Sequence, residues 1–438
     1  MVNSNQEIHN MDEDQFIDVT DNVSLGKAIP LSFQHLFAMF GSSVLVPIVF
    51  NIDPAIVLFF NGIGTLLFGI LTKKKIPAFL GSSFAFLAPV QMLMASGFNF
   101  AQIQSGFVVS GLVFAGIAVI VAYTGVEWIN KVFPPAAMCS IVTIIGLELA
   151  PTAADMAGFA VGGSNTKVFN PTWVMVSMIT LGTVVIGSVV FRGFMKIIPI
   201  LIGIVVGYCV SIPMGLVDFK PVLDAPFFSL PQMHLAEFNL NCILAILPAT
   251  LVVIPEHIGH IAVTSDIVGK DLARDPGLKR SLLGDGLSTA LSGLFGSVPT
   301  TTYGENIGVM ALTKVYSSKI IMGAGALSIL LGFSGKLAAL IKTIPTPVIG
   351  GVSLLLFGSI ATSGIRSFIE NKVDYSKSRN LILTSVVLII GLSGITIDIP
   401  YAGKVVCSLK GMGLASVVAI VMSLLFIVFD KLNIMNEK

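Results

Sequence analysis

Apolar residues run through this chain in stretches of about twenty, separated by short polar or Pro- and Gly-containing connections. About twenty apolar residues in a helix cross the hydrocarbon of a bilayer, so each stretch predicts a membrane span. The pattern resolves into fourteen. In the first half they cover 31–50, 53–71, 79–97, 101–123, 134–150, 171–191 and 197–216. In the second half they cover 239–262, 281–297, 299–316, 319–341, 345–363, 379–396 and 411–430. Several are short or interrupted by Pro and Gly, which leaves twelve or thirteen spans as alternatives. The fold class expected is an all-α polytopic membrane protein.

Two spans do not begin like lipid-facing helices. The third opens Gly81-Ser82-Ser83-Phe84-Ala85-Phe86 and the tenth opens Thr300-Thr301-Thr302-Tyr303-Gly304-Glu305. Both place small hydroxyl residues before an aromatic, a β-prone composition, and predict short β-strands within 82–86 and 300–304. The fifth and twelfth spans echo one another as well, Phe133-Pro134-Pro135-Ala136 against Ile344-Pro345-Thr346-Pro347. The matching features lie seven spans apart. Because seven is odd, the two seven-span halves must be inverted in the membrane, the arrangement that places transporter sites at broken helices.

Composition agrees with this pattern. Of the 438 residues 54% are hydrophobic and 11% charged, with a mean hydropathy of +0.92, against about 25% charged in soluble domains. The net charge of +1 argues against a polyanionic partner such as a nucleic acid. The placement of charge says more. With the N-terminus in the cytoplasm, six basic residues (Lys167, Lys220, Lys336, Lys342, Lys404, Lys410) fall outside, leaving nineteen of the 25 on the inner side. That satisfies the positive-inside rule, with both termini cytoplasmic and the chain in the cell membrane. Residues 1–30 read as a disordered cytosolic tail, acidic and without the basic and apolar regions of a cleaved signal. Cys139, Cys209, Cys242 and Cys407 stand singly and read as packing residues. No metal or cofactor is expected.

The chemistry concentrates in two acids inside apolar stretches, Glu256 and Glu305. An intramembrane carboxylate costs roughly 2.5–3.5 kcal/mol even on lenient insertion scales, and usually lines a pathway or pairs with a partner. His260 lies one helical turn from Glu256, and Asp285 is a third intramembrane acid. If the segments at 82–86 and 300–304 are extended, the helices after them start inside the membrane with unpaired amides and positive dipole ends at one place. Irregular backbone at that depth survives only where it is buried or lines a cavity. Amides suit ligand carbonyls, and the glutamates suit ligand N–H groups. A small ring alternating C=O with N–H, such as a nucleobase, satisfies both.

At these residues the chain resembles the uracil permeases of the nucleobase–ascorbate transporter family, from Gln34-His35-Leu36 to about residue 430. The family signature reads Glu305-Asn306-Ile307-Gly308-Val309-Met310-Ala311-Leu312-Thr313-Lys314, and Pro255-Glu256-His257-Ile258-Gly259-His260 matches strongly. So do Lys270-Asp271-Leu272-Ala273-Arg274-Asp275-Pro276-Gly277 and Phe133-Pro134-Pro135-Ala136-Ala137-Met138. The resemblance implies a core domain (31–132 and 239–343, spans one to four and eight to eleven) and a gate domain (133–218 and 344–431). It implies that Glu256 and Glu305 accept hydrogen bonds from uracil while the backbone amides of Phe84 and Gly304 bind its carbonyls. His260 would couple a proton to uptake, together with Glu256 and Asp285, and the protein would form a homodimer through the gate domains. Relatives that carry xanthine or urate tend to have an amide at the position of Glu305, so the acid points to the uracil branch.

Structural alternatives stand beside each assignment. Glu256 reads otherwise as a charge tied to a neighbouring helix, Glu305 as a favourable first-turn acid, and His260 as a buried histidine on a carbonyl. Asp285 is either a proton-affinity tuner or a bridge between helices. His257, rotated about 100° from Glu256, and His35 read as structural, and Glu148 as interfacial. Phe84, Tyr303 and Phe357 either pack or stack on the ligand. No phosphate loop or soluble domain points to ATP use or to an enzyme. The rival functions are a purine permease on the same fold and an anion exchanger or channel, which two acids at the site disfavour.

Overall fold

The computed structural model describes residues 16–160, 169–401 and 404–435. Its principal elements are α1 (Leu25–Val49), α2 (Pro54–Leu71), β1 (Leu80–Ser82), α3 (Leu87–Ala95), α4 (Phe100–Thr124), α5 (Pro135–Glu148), α6 (Pro171–Val190) and α7 (Pro199–Ser211). They continue with α8 (Leu240–Val268), α9 (Leu278–Leu294), β2 (Thr300–Thr302), α10 (Gly304–Thr313), α11 (Ser318–Gly332), α12 (Thr346–Glu370), α13 (Ser378–Leu392), the hairpin strands β3 (Thr396–Tyr401) and β4 (Lys404–Lys410), and α14 (Gly411–Lys431). Among the described residues eight helices are long and apolar enough to cross a membrane: α1, α2, α4, α5 with its continuation to Met156, α6, α8, α12 and α14.

Local sequence accounts for most helix ends. Pro54, Pro135, Pro171 and Pro199 begin their helices, where proline loses no hydrogen bond and its φ is already helical. Asn99 and Gln102 form a reciprocal capping box at α4; Asp53, Asn170 and Asn239 accept from first-turn amides of α2, α6 and α8. Such caps are worth about 1 kcal/mol each. α8 ends at Gly269 in the left-handed conformation, which costs glycine no Cβ clash.

The structure departs from the sequence pattern in five places. Residues 1–15 of the expected tail, and Lys167 and Lys438 of the charge count, lie outside the described residues. Residues 16–24, however, are a docked strap, not a disordered tail. Ile17 N–H donates to Lys314 O (3.1 Å), and Tyr316 and Ser318 donate back to Ile17 and Val19. Val19 is 2% exposed, and Asp18 pairs with Lys270. Burial raises the Asp18 pKa, but hydrogen bonds from Lys270 and the Val19 amide outweigh it and hold the carboxyl below its usual range. In the same region α1 begins at Leu25, six residues ahead of the expected span. The span expected at 319–341 breaks after Gly332, because Ser334 caps a new short helix, Gly335–Lys342. The connection before α14 folds into the β3–β4 hairpin. Finally, the extended segment expected at 82–86 sits two residues earlier, as β1, and Phe84–Phe86 form a 3₁₀ turn.

Helix packing follows a recurrent rule. α4 packs on α9 as α11 packs on α2; α8 on α4 as α1 on α11; α6 on α12 as α13 on α5. α6 packs on α7 as α13 packs on α14, and α1 meets α7 as α8 meets α14. Each contact recurs after a shift of seven helices. The crossings are closed by small residues, which let backbones approach where the lipid supplies no hydrophobic drive. A Cβ on Gly286 of α9 would lie 2.7 Å from Gly111 O and from Phe114 Cβ of α4, and one on Gly284 would lie 2.9 Å from Phe68 of α2. Gly286→Ala therefore lowers stability by about 1–3 kcal/mol through overpacking; an unchanged melting temperature in detergent would contradict this close crossing.

Candidate substrate-binding site

β1 and β2 pair antiparallel, with Leu80 opposite Thr302, Gly81 opposite Thr301 and Ser82 opposite Thr300. Two segments 220 residues apart thus form one small sheet. Ser83 N–H donates to Pro299 O (2.9 Å) and Tyr303 N–H to Phe79 O (3.0 Å), which extends the ladder at both ends. The Tyr303 hydroxyl donates to Ser82 O (3.0 Å), and its ring covers Gly81, where a Cβ has no room. Tyr303 is therefore a packing residue of the sheet.

Each threonine of β2 is held by a side chain. The Thr300 N–H donates to Thr289 Oγ1 (3.2 Å) and its hydroxyl meets Ser288 Oγ (2.7 Å). Thr301 Oγ1 donates to Asp285 Oδ2 (3.4 Å). Thr302 Oγ1 lies 2.9 Å from His260 Nδ1. The run of three threonines supplies hydroxyls to α9 and α8 as well as β-prone backbone.

The helix that follows, α10, starts at Gly304, and its first amides have no carbonyl one turn back within the helix. Gly304 is exposed, and His260 Nε2 is 3.6 Å from where a Cβ would stand there. Glu305 is the next residue; Ser42 Oγ of α1 donates to its Oε1 (2.5 Å). Glu256 is partly buried and makes no hydrogen bond or ion pair among the described residues. Phe84 opens the 3₁₀ turn after β1, partly exposed, its ring 6.4 Å from Phe357 at 80°. Asn306 donates to His35 O (3.1 Å), tying α10 to α1.

Of the residues expected from sequence, Glu305, Gly304 and His260 come together with β2, and Asp285 lies behind that strand. Asp285 pairs with His257, at 2.8 Å from Nδ1, both side chains fully buried. Those two atoms are at ion-pair distance but not in line as a hydrogen bond. Glu148, expected at the interface, accepts from the Met412 N–H (2.9 Å) at the start of α14, where a helix favours an anion. It lines a separate cavity of about 620 Å³ with Gln91 and Lys410, which contains none of the expected site residues. Sequence reading missed Ser42, Thr301 and Thr302 as partners. The signal for the first was present: Gly41-Ser42-Ser43 is a small polar triple inside an apolar span, like Gly81-Ser82-Ser83. Among the described residues no group of three or more His, Cys, Asp or Glu side chains is placed to hold a metal.

The sequence model of the Permease family that covers xanthine and uracil permeases matches residues 26–399. The chain is 56% identical to the uracil permease of Paenibacillus larvae over 97% of its own length and 100% of that protein's. It is 55% identical to the uracil permease of Escherichia coli K12 over 94% of each. In structure it is similar to the transmembrane domain of the cyanobacterial bicarbonate transporter BicA, with a TM-score of 0.63 at 13% identity, covering 93% of this chain and 100% of that one. The chain belongs to the nucleobase–ascorbate transporter family of permeases and is a transporter, not an enzyme.

Proposed function

We propose that this member of the permease family takes up uracil across the cell membrane together with a proton, by alternating access. One arrangement carries the reading: Glu305, half engaged by Ser42, follows Gly304 at the open amide end of α10, and Glu256, without a partner among the described residues, stands one helical turn before the His260 that faces Gly304. Uracil offers two ring N–H groups and two carbonyls. The carboxylates accept from the former, and the amides at Gly304 and Phe84 donate to the latter. The names of the relatives over nearly their full lengths support the same substrate.

The architecture in this reading is fourteen spans in two inverted seven-span repeats, with both termini cytoplasmic. The recurrence of packing pairs after seven helices supports it, as do the two strands at matching places. Helices α1–α4 and α8–α11 form the core domain that carries the site. Helices α5–α7 and α12–α14 form the gate, meeting the core where α8 lies on α14, β4 and α5 and where α1 lies on α7. Rocking of core against gate about those contacts would expose the site to each side in turn. His260, Glu256 and Asp285 are the groups proposed to carry the coupled proton.

Proteoliposome uptake tests the assignment. Labelled uracil is competed with thymine, cytosine, adenine and xanthine, with and without a pH gradient. Uracil accumulation that the purines fail to compete, and that collapses with the gradient, is expected. Competition by xanthine at equal concentration would replace uracil by a purine, and indifference to the gradient would remove the proton.

A further inference from the structure

Behind β2 lies a polar pair of which the transport reading uses only Asp285 and leaves His257 without a role. His257 of α8 stands 2.8 Å from Asp285 of α9, and neither is exposed at all. Asp285 also takes the hydroxyl of Thr301, the middle residue of β2. Three buried atoms of the pair, Asp285 Oδ1 and both ring nitrogens of His257, have no hydrogen-bond partner among the described residues. A pair with unpaired buried polar atoms is costly, and a costly pair needs a reason.

The other half of the molecule shows what the fold alone demands. Behind β1, Asn61 of α2 donates to Ser43 of α1 (3.2 Å), and Thr65, four residues on, accepts from the Leu80 N–H (2.9 Å). Behind β2, Asp285 of α9 meets His257 of α8, and Thr289, four residues on, accepts from the Thr300 N–H. The spacing, the helices and the strand edge correspond position for position. Ser43 follows Ser42 as His257 follows Glu256. One half fills this place with a neutral serine–asparagine pair and the other with an ionisable histidine–aspartate pair. The fold therefore accepts the neutral version. The charged one stands only behind the strand that leads into Gly304 and Glu305.

We infer that His257 is a positioning residue of the substrate site: it holds Asp285 against Thr301 and so sets the strand that aims the Gly304 amide, Glu305 and the Thr302 partner of His260. The inference rests on the reading of this site as the uracil site. A charge-assisted contact on the strand's middle hydroxyl resists displacement about twice as strongly as a neutral one. It acts one residue from Thr302, whose hydroxyl His260 holds in parallel. Two tethers one helical turn apart on α8 thus reach neighbouring residues of β2.

The test is to install behind β2 the pair the molecule already uses behind β1, His257→Ser with Asp285→Asn. Melting temperature and uracil affinity are measured on the purified protein in detergent. Uracil binding by the unaltered protein is the control on the function itself; its absence would sink the uracil assignment rather than this inference. The expected result is a melting temperature within a few degrees of the unaltered protein and uracil affinity weaker by about tenfold. Unchanged affinity would overturn the inference. If the double variant does not fold, single variants decide. His257→Asn places an amide N–H near the original Nδ1 and should bind like the unaltered protein, whereas His257→Leu should bind about tenfold more weakly. Equal affinities for Asn and Leu overturn it as well.

Discussion

Uracil binds Glu305→Ala more weakly by about 1–3 kcal/mol, roughly five- to 150-fold, because one ring N–H loses its acceptor. The lower part of that range is expected, since Glu305 and Gly304 are not fully enclosed and water can replace part of the lost bond. Ser42→Ala has a smaller effect of the same sign. It leaves the carboxylate in place and removes only the hydroxyl that orients it at 2.5 Å, a loss of about 0.5–1.5 kcal/mol. Glu256→Ala should match Glu305→Ala, and the double replacement should fall short of the sum, because both act on one small ligand. Calorimetric titration of the four variants settles the order. Wild-type affinity in Glu305→Ala would mean that uracil is not held there.

His260→Ala separates coupling from binding. The Nδ1 of His260 is engaged by Thr302 and its Nε2 faces the start of α10, so the ring touches the strand, while Glu256 one turn back has no partner among the described residues. If His260 carries the coupled proton, pH-driven accumulation falls by about tenfold or more while uracil exchange at equilibrium falls by less than about threefold; each tenfold corresponds to about 1.4 kcal/mol. If it only props the strand, Thr302→Ala, which removes the same contact, reproduces its effect on both assays. Measuring both assays on both variants decides between them: equal losses in accumulation and exchange would return His260 to a structural role and leave the proton to Glu256, Glu305 or Asp285.

Much of this was legible along the chain because lipid makes sequence unusually explicit. Apolar runs had to be about twenty residues long, and the boundaries read from them fall within a few residues of most helices: 53–71 against Pro54–Leu71, 171–191 against Pro171–Val190, 411–430 against Gly411–Lys431. Glu256, Glu305 and Asp285 stood out because a carboxylate in such a run is costly enough to demand a reason. Thr300-Thr301-Thr302 announced a strand through its β-branched side chains. The errors lie where side chains or short strands find partners across the fold. Residues 16–24 read as a tail because nothing local says that Ile17 and Val19 dock on the α10–α11 connection. The span from 319 to 341 read as continuous because hydropathy does not register a capping serine at 334.

His257 is the sharpest case. Its position one residue past Glu256 turned it off the expected ligand-facing side, and periodicity set it aside as structural. What gives it meaning is Asp285 on another helix and Thr301 on a strand beyond, together with the Ser43–Asn61 pair that occupies the equivalent place in the other half. No local pattern carries that comparison.

The sequence by itself determined that this protein lives in a membrane, where most of its helices run, which acids stand inside apolar runs and that two of those runs contain short strands, because hydrocarbon penalises every polar group it cannot accommodate. Tertiary structure alone decided which of those polar groups meet: Ser42 with Glu305 across 263 residues, His260 with Thr302, His257 with Asp285, and β1 with β2. Hydropathy is a property of each residue against lipid, whereas a hydrogen bond exists only once packing has brought two distant groups to within three ångströms.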